Sequence, residues 1–159
     1  MGEIFEIKIS ARSTEVKNFA GVLVKANNGA LPFMNGRNIK KGKIERKGYV
    51  NLWLMEKEVA KLKSFYSVLP RIVVGHTKGG KVFAAMEKKP YPYVGDVYHL
   101  LPKPTLNSDE LKAITDWLNS KTIEKYMVTL YREITPHTTA TQLKRVPIDV
   151  KVNRGMLFD

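Results

Sequence analysis

The sequence predicts an α+β fold: a twisted, mostly antiparallel sheet with long loops, one middle helix and a C-terminal helix pair. Three observations carry this expectation. Short alternating or β-branched runs, punctuated by glycine, proline and asparagine, fill residues 1–104. Apolar residues fall at helical spacing once within that stretch. Two amphipathic helical patterns then follow one another in residues 105–159, ahead of a last short strand. Strands first and helices last, without regular alternation, favour α+β over βαβ winding. A chain of 159 residues is long enough for one domain with its own core, so a single domain over 1–159 is expected.

Glu3–Ile9 alternates and reads as a strand, followed by a polar stretch from Ser10 to Asn18. Phe19–Val24 reads as a second strand, with Asn27-Asn28-Gly29 as a turn. Pro32–Ile39 is a short extended piece broken by Asn35-Gly36. Lys40-Lys41-Gly42-Lys43 is a basic loop or hairpin tip, and Gly48–Trp53 another strand. Met55, Val59, Leu62 and Tyr66 mark the middle helix, which Pro70 ends. Arg71–Val74 suits a buried strand. Gly75–Gly80 is a loop, Val82–Met86 its hairpin partner, and Lys88–Tyr93 is extended because of Pro90 and Pro92. Val94–Leu101 is a further strand. Ser108 caps the first C-terminal helix, with Asp109 and Glu110 in its first turn and Leu111, Ile114, Trp117 and Leu118 on one face. Asn119-Ser120 interrupts, and Ile123, Tyr126, Met127, Leu130 and Ile134 mark a second helix ending at Pro136. A polar loop from His137 to Gln142 leads to a turn at Leu143 and a terminal strand, Val146–Val152.

Charge is the compositional anomaly. Lys and Arg number 27 against 15 Asp and Glu, a net +12. The stretch Met34–Lys89 alone holds 14 basic and 4 acidic residues. A solvated lysine-rich surface has no need of that concentration; a face that binds a polyanion, most often nucleic acid, does. No apolar run approaches a membrane span and no signal sequence follows Met1, so no membrane partner and a cytoplasmic location are expected. Zero cysteines exclude disulfides, thiolate metal sites and cysteine nucleophiles.

Catalytic constellations are lacking. His76, His99 and His137 have no metal-ligand spacing. Gly75–Lys81 has the glycines and lysine of a phosphate loop, but Val82 stands where a Ser or Thr must hold magnesium. Glu6-Ile7-Lys8, Glu45-Arg46-Lys47 and Asp149-Val150-Lys151 fit a nuclease fragment that lysine-rich chains contain by chance. Lys89-Pro90-Tyr91-Pro92-Tyr93 is not the Asn/Asp-Pro-Pro-aromatic quartet of an amino-methyltransferase. The expectation is a chain without catalysis, metal or cofactor of its own.

DNA binding has better material. Arg37, Lys40, Lys41, Lys43, Arg46 and Lys47 lie within eleven residues. Asn35, Arg37 and Asn38 carry side chains that read base edges, although Asn35-Gly36 equally suits a plain turn. The glycine-flanked loop with His76, Thr77 and Lys78, and Lys81 after it, suits close approach to a sugar-phosphate backbone. The polar segment with His137, Thr138, Thr139, Thr141, Gln142 and Lys144 has the composition of a base-and-backbone reader, and equally of a polar surface loop. Tyr91 and Tyr93 read more readily as interior strand aromatics than as base-stacking residues.

The order of landmarks resembles a known family. Gly2-Glu3-Ile4-Phe5-Glu6-Ile7 opens the series, followed by Pro32-Phe33-Met34-Asn35-Gly36-Arg37-Asn38-Ile39, Tyr49-Val50-Asn51-Leu52 and Pro70-Arg71-Ile72-Val73-Val74. Val97–Lys103, Leu118–Tyr126 and Leu143-Lys144-Arg145-Val146-Pro147-Ile148 complete it. The chain resembles the TaqI-like C-terminal specificity domain, the target-recognition domain of adenine-specific DNA methyltransferases and fused restriction-modification enzymes. The resemblance covers nearly the whole chain. It implies a DNA sequence-recognition module whose partners are double-stranded DNA and a methyltransferase catalytic domain, in the same or a partner chain. Ile9-Ser10-Ala11-Arg12 stands where the family often has a glycine. Two other readings share the charge: an RNA-binding protein, which needs Tyr49, Trp53, Tyr91 and Tyr93 on one open surface, and a small nuclease using Glu6/Lys8 or Asp149/Lys151.

Overall fold

A computed structural model describes residues 1–19, 23–24, 29–75, 81–131 and 138–149. Its centre is a four-stranded antiparallel sheet of β1 (Phe5–Ile9), β7 (Arg71–Gly75), β8 (Phe83–Glu87) and β9 (Val97–Pro102), in the order β1-β9-β7-β8. The order arises because β7 and β8 form a hairpin while β9 pairs with both β7 and the opening strand. Small sheets flank it. In one, β6 (Trp53–Met55) lies between β2 (Leu23–Val24) and β3 (Ala30–Pro32); the other is the hairpin of β4 (Ile39–Lys40) and β5 (Lys43–Ile44).

Both faces of the central sheet are covered, which explains why Arg71–Val74 is apolar without alternation. Ile72, Val74, Ala84 and Leu100 face a core completed by α3 (Ser108–Leu118), α4 (Lys121–Tyr131) and α5 (Ala140–Arg145), through Leu111, Ile114, Ile123, Met127 and Leu143. Val73, Ala85 and Val97 face a second core, with Val16 of α1 (Ser13–Asn18), Val59 and Leu62 of α2 (Glu56–Leu62), Phe33, Met34, Leu54 and Tyr66. Two-residue periodicity along each strand sorts side chains between the cores.

The α+β class and the helix pair are as the sequence indicates; several boundaries differ. The polar stretch after β1 contains α1, opened by Glu15 accepting the Arg12 N–H at 2.7 Å. The middle helix ends at Leu62, and Ser64–Ser67 continues as a 3-10 turn after the extended Lys63. The expected strand at Gly48–Trp53 is instead Trp53–Met55. Asn107, not Ser108, caps α3, its Oδ1 accepting the Asp109 and Glu110 N–H groups at 2.9 Å. The expected polar loop before Leu143 becomes α5 from Ala140, with Thr139 as its cap and Gln142 closing the box. Residues 146–149 form no strand; the rest of the expected terminal strand lies outside the described residues, as does the turn at Asn27-Asn28.

Candidate nucleic-acid interface

At the end of the sheet where Gly75 pairs with both Phe83 and Val97, several chain segments converge. The turn Gly36–Asn38 packs on β7: a Cβ built on Gly75 would lie 3.1 Å from the Gly36 carbonyl oxygen and 3.4 Å from Ile39 Cβ. A side chain at this position would press on the turn, whose backbone would have to give by a few tenths of an ångström. α1 and the segment Val94–Asp96 meet there through the bridge from Ala11 to Val94 and the Gly95 N–H donated to Ala11 at 3.0 Å.

Between these segments lies a groove of about 860 Å³. Val16, Ile39, Val50, Leu52, Phe83 and Val94 give it apolar walls, and Lys17, Arg37, Lys40 and Asp96 supply its charges. Arg37 is exposed. The β4–β5 hairpin continues the basic surface beside it, with Lys41 and Lys43 exposed and only loosely paired, 3.7 Å from Glu124 and 3.9 Å from Glu45.

The structure sorts the expected site residues into separate places. Arg37 and Lys40 line the groove, as does Asn35, whose Oδ1 also accepts the Arg37 N–H at 2.9 Å and so holds the turn. Asn38 is fully buried and is not among the lining residues. Its Oδ1 accepts the Asn35 N–H at 2.8 Å, and its Nδ2 donates to the carbonyls of Glu45 at 2.7 Å and Lys47 at 2.8 Å. Expected at a base edge, its amide instead braces the basic turn. Thr138, Thr139, Gln142 and Lys144 sit elsewhere. Thr138 and Gln142 are buried, Thr139 caps α5, and Lys144 is exposed, its carbonyl accepting the Gly2 N–H at 3.0 Å. That segment bonds to the chain entering β1, through Gly2 and Lys144, whereas the hairpin bonds to β8 at the opposite edge of the central sheet, through Gly42 and Ala84. The two groups do not form one surface. Lys81 is exposed next to β8; His76, Thr77, Lys78 and His137 lie outside the described residues.

Two basic residues counted in the charged stretch point inward. Arg71 is fully buried; its guanidinium donates to the carbonyls of Tyr66, Val68 and Tyr91 and, from Nε, to His99 Nδ1 at 3.0 Å. Because Arg71 can only donate, His99 must be protonated on Nε2, which donates to Ser10 Oγ at 2.7 Å. Burial, followed by the neighbouring Arg71 charge, holds the His99 ring well below its usual range, so it is neutral. Arg46 forms a two-pronged pair with buried Glu87 at 2.7 and 3.1 Å and lies 3.7 Å over the Tyr91 ring. Glu87 also accepts the Tyr93 hydroxyl at 2.8 Å. The Tyr66 hydroxyl accepts the Ala11 N–H at 2.8 Å and donates to the Tyr93 carbonyl at 2.6 Å, and burial pushes its pKa up to about 12. This network ties the loops leading into the groove to the sheet.

Tyr93 is fully buried, so the aromatic quartet needed by the RNA-binding reading does not share an open face. Glu6 pairs with Lys8 at 2.6 Å, and among the described residues no three acids or histidines converge to hold a metal ion. Lys17 and Asp96 were not singled out in the sequence. Lys17 sits in a stretch with no visible helical period, and Asp96 follows the turn residue Gly95, so only the fold brings them to Arg37.

A family model described as the TaqI-like C-terminal specificity domain matches residues 31–148. The chain is also similar to a Type II methyltransferase of Thermus thermophilus, with 40% identity over 148 residues. That match covers 92% of this chain and 34% of the relative, so the chain spans about a third of the relative's length.

Proposed function

The chain belongs to the TaqI-like C-terminal specificity domain family, and from that premise we propose that it is a DNA sequence-recognition module that positions duplex DNA for an adenine methyltransferase or restriction-modification enzyme. It acts as a single target-recognition domain and contributes no catalysis of its own. The observation that carries this reading is the groove at one end of the sheet, where Lys17, Arg37 and Lys40 meet beside the Lys41 and Lys43 hairpin. Lysine and arginine at a groove mouth neutralise phosphates and fix the register of a duplex, while the groove admits base edges.

An enzyme that modifies a base in a duplex must extrude it, and a catalytic domain that grips a few base pairs gains both affinity and sequence choice from a second wall. In this reading the chain is that second wall, and the methyltransferase catalytic domain, in the same or a partner chain, supplies the chemistry. The site belongs inside the cell with the DNA.

The test is a fluorescence anisotropy titration of the chain with a labelled duplex at several salt concentrations. If three to five of these cations engage phosphates, the log–log slope of affinity against salt is roughly −3 to −5, at about −0.9 per contact. Arg37→Ala and Lys40→Ala each lower the slope by about one. Absence of binding, or binding indifferent to salt, refutes the proposal.

A further inference from the structure

The groove is built wrongly for a phosphate and well for a base. Its buried and half-buried lining, the floor, is apolar, with Val16, Val50, Leu52, Phe83 and Val94 beside Ile39, while Lys17 and Arg37 are exposed and Lys40 is half-buried. A phosphate pressed onto that floor would lose water without gaining hydrogen bonds, an arrangement that costs several kcal/mol in general. The backbone is therefore confined to the flexible cations, and what enters the groove is the edge of a base pair. Among the groups that duplex DNA displays in its major groove, one is apolar: the 5-methyl of thymine.

We propose that the floor formed by Val16, Val50, Leu52, Phe83 and Val94 reads thymine 5-methyl groups in the major groove, with Arg37 and Lys40 holding the flanking phosphates. This deepens the DNA-recognition reading and rests on it. The volume of about 860 Å³ leaves space for the edges of adjacent base pairs, so the apolar floor selects for thymine within a short run rather than at one isolated position. The choice is made by shape and desolvation, and needs no hydrogen bond from the floor.

The test sets two random duplex pools against each other. They are identical except that one carries deoxyuridine wherever the other carries thymidine, so they differ only in the 5-methyl group. The full chain selects from an equimolar mixture in which the two pools carry different fluorescent end labels, and the dye ratio in the bound fraction gives the bound ratio. The expected result is enrichment of the thymidine pool by about four-fold for each methyl buried, the factor that follows from about 0.8 kcal/mol per buried carbon. Val50→Ser, at a half-buried position outside the strands, lowers the ratio toward one while salt-dependent binding persists; far-UV circular dichroism verifies its fold. Arg37→Ala weakens both pools equally and leaves the ratio unchanged. A ratio of one for the unaltered chain, with salt-dependent binding intact, overturns methyl reading and leaves the recognition role standing. An unchanged preference in Val50→Ser overturns the assignment to this groove. Failure to bind either pool overturns both proposals together.

Discussion

Replacing Asn119 with alanine should cost about 2 kcal/mol of stability, and the structure shows where the loss comes from. β8 is an edge strand, and the outward polar groups of Ala84 have no neighbouring strand in the central sheet. The Asn119 side chain supplies both partners: Oδ1 accepts the Ala84 N–H at 2.9 Å, and Nδ2 donates to the Ala84 carbonyl at 2.8 Å. It also donates to the Thr115 carbonyl at 3.0 Å. Truncation does not affect these equally. The Ala84 carbonyl keeps the Gly42 N–H at 2.9 Å, and the Thr115 carbonyl keeps the backbone N–H of residue 119 at 3.1 Å. The Ala84 N–H keeps no other acceptor among the described residues, in a residue that is fully buried. An orphaned buried donor costs about 1–3 kcal/mol, so that single group dominates the estimate. Asn119→Asp separates the two halves of the contact. Its carboxylate still accepts from Ala84 N–H but sets a second anionic oxygen against the Ala84 carbonyl, so stability falls at neutral pH and recovers as the carboxyl protonates. Urea unfolding followed by circular dichroism measures both variants, with unchanged m-values required for a like comparison. A loss below about 0.5 kcal/mol for Asn119→Ala would show that water replaces the amide, and would refute the edge-plug argument.

Stability should also fall in mild acid through His99. Its folded-state pKa is depressed, so below about pH 6.5 the unfolded chain binds a proton that the folded chain refuses, and stability is fully present above that value. The loss grows as the pH falls further below that value, and His99→Gln should flatten that part of the profile; an unchanged slope in the variant refutes the assignment. Gly75→Ala should cost about 1–3 kcal/mol, because its Cβ meets the Gly36 carbonyl at 3.1 Å, and should shift the amide resonances of Gly36–Ile39. Unmoved resonances with unchanged stability would mean that the turn does not rest on β7.

What the sequence made legible was set by the range of the signal. The β-branched run Arg71–Val74 and the helical spacing from Leu111 to Met127 are local patterns, and the strand and helices stand where those patterns put them. The charge excess pointed to Met34–Lys89, and the groove draws Arg37 and Lys40 from that stretch. Other features needed the third dimension. Asn38 has the side chain of a base reader, and only the positions of the Glu45 and Lys47 carbonyls reveal it as a brace. Thr139 and Gln142 were legible as polar residues; that they close a capping box depends on whether the chain turns helical at Ala140. Arg71 counts toward the charge excess of Met34–Lys89, yet it is buried among carbonyls contributed by residues as distant as Tyr91. Asn119 stood out as part of a landmark, but its partner lies thirty-five residues away.

The inward-facing charges bear on how such a module can vary what it reads. The segments that form the groove have little ladder structure of their own: Ala11 and Val94 share an isolated bridge, as do Met34 and Tyr93. They are held from beneath instead. Tyr66 clasps the Ala11 amide and the Tyr93 carbonyl, His99 holds Ser10, and Glu87 fixes Tyr93 and Arg46. Of these holding side chains, His99 and Glu87 stand on strands of the central sheet, as does Arg71. Of the groups lining the groove, Lys17, Arg37, Val50 and Asp96 stand on none of them, and Phe83, the first residue of β8, is the exception. Holding and reading are thus assigned to different residues. Exchanging Lys17 or Arg37, exposed at the groove, leaves every one of these buried bonds intact, so such substitutions alter what the groove accepts at little cost in stability. Exchanging Tyr66 or Glu87 orphans buried polar groups and moves the groove walls as a set. Tyr66→Phe therefore separates the two kinds of position: it keeps the ring, removes both clasps, and should cost about 1–3 kcal/mol while Arg37→Ala, at an exposed position, costs well under that. Equal losses for the two variants, measured in the same urea titrations, would contradict the division.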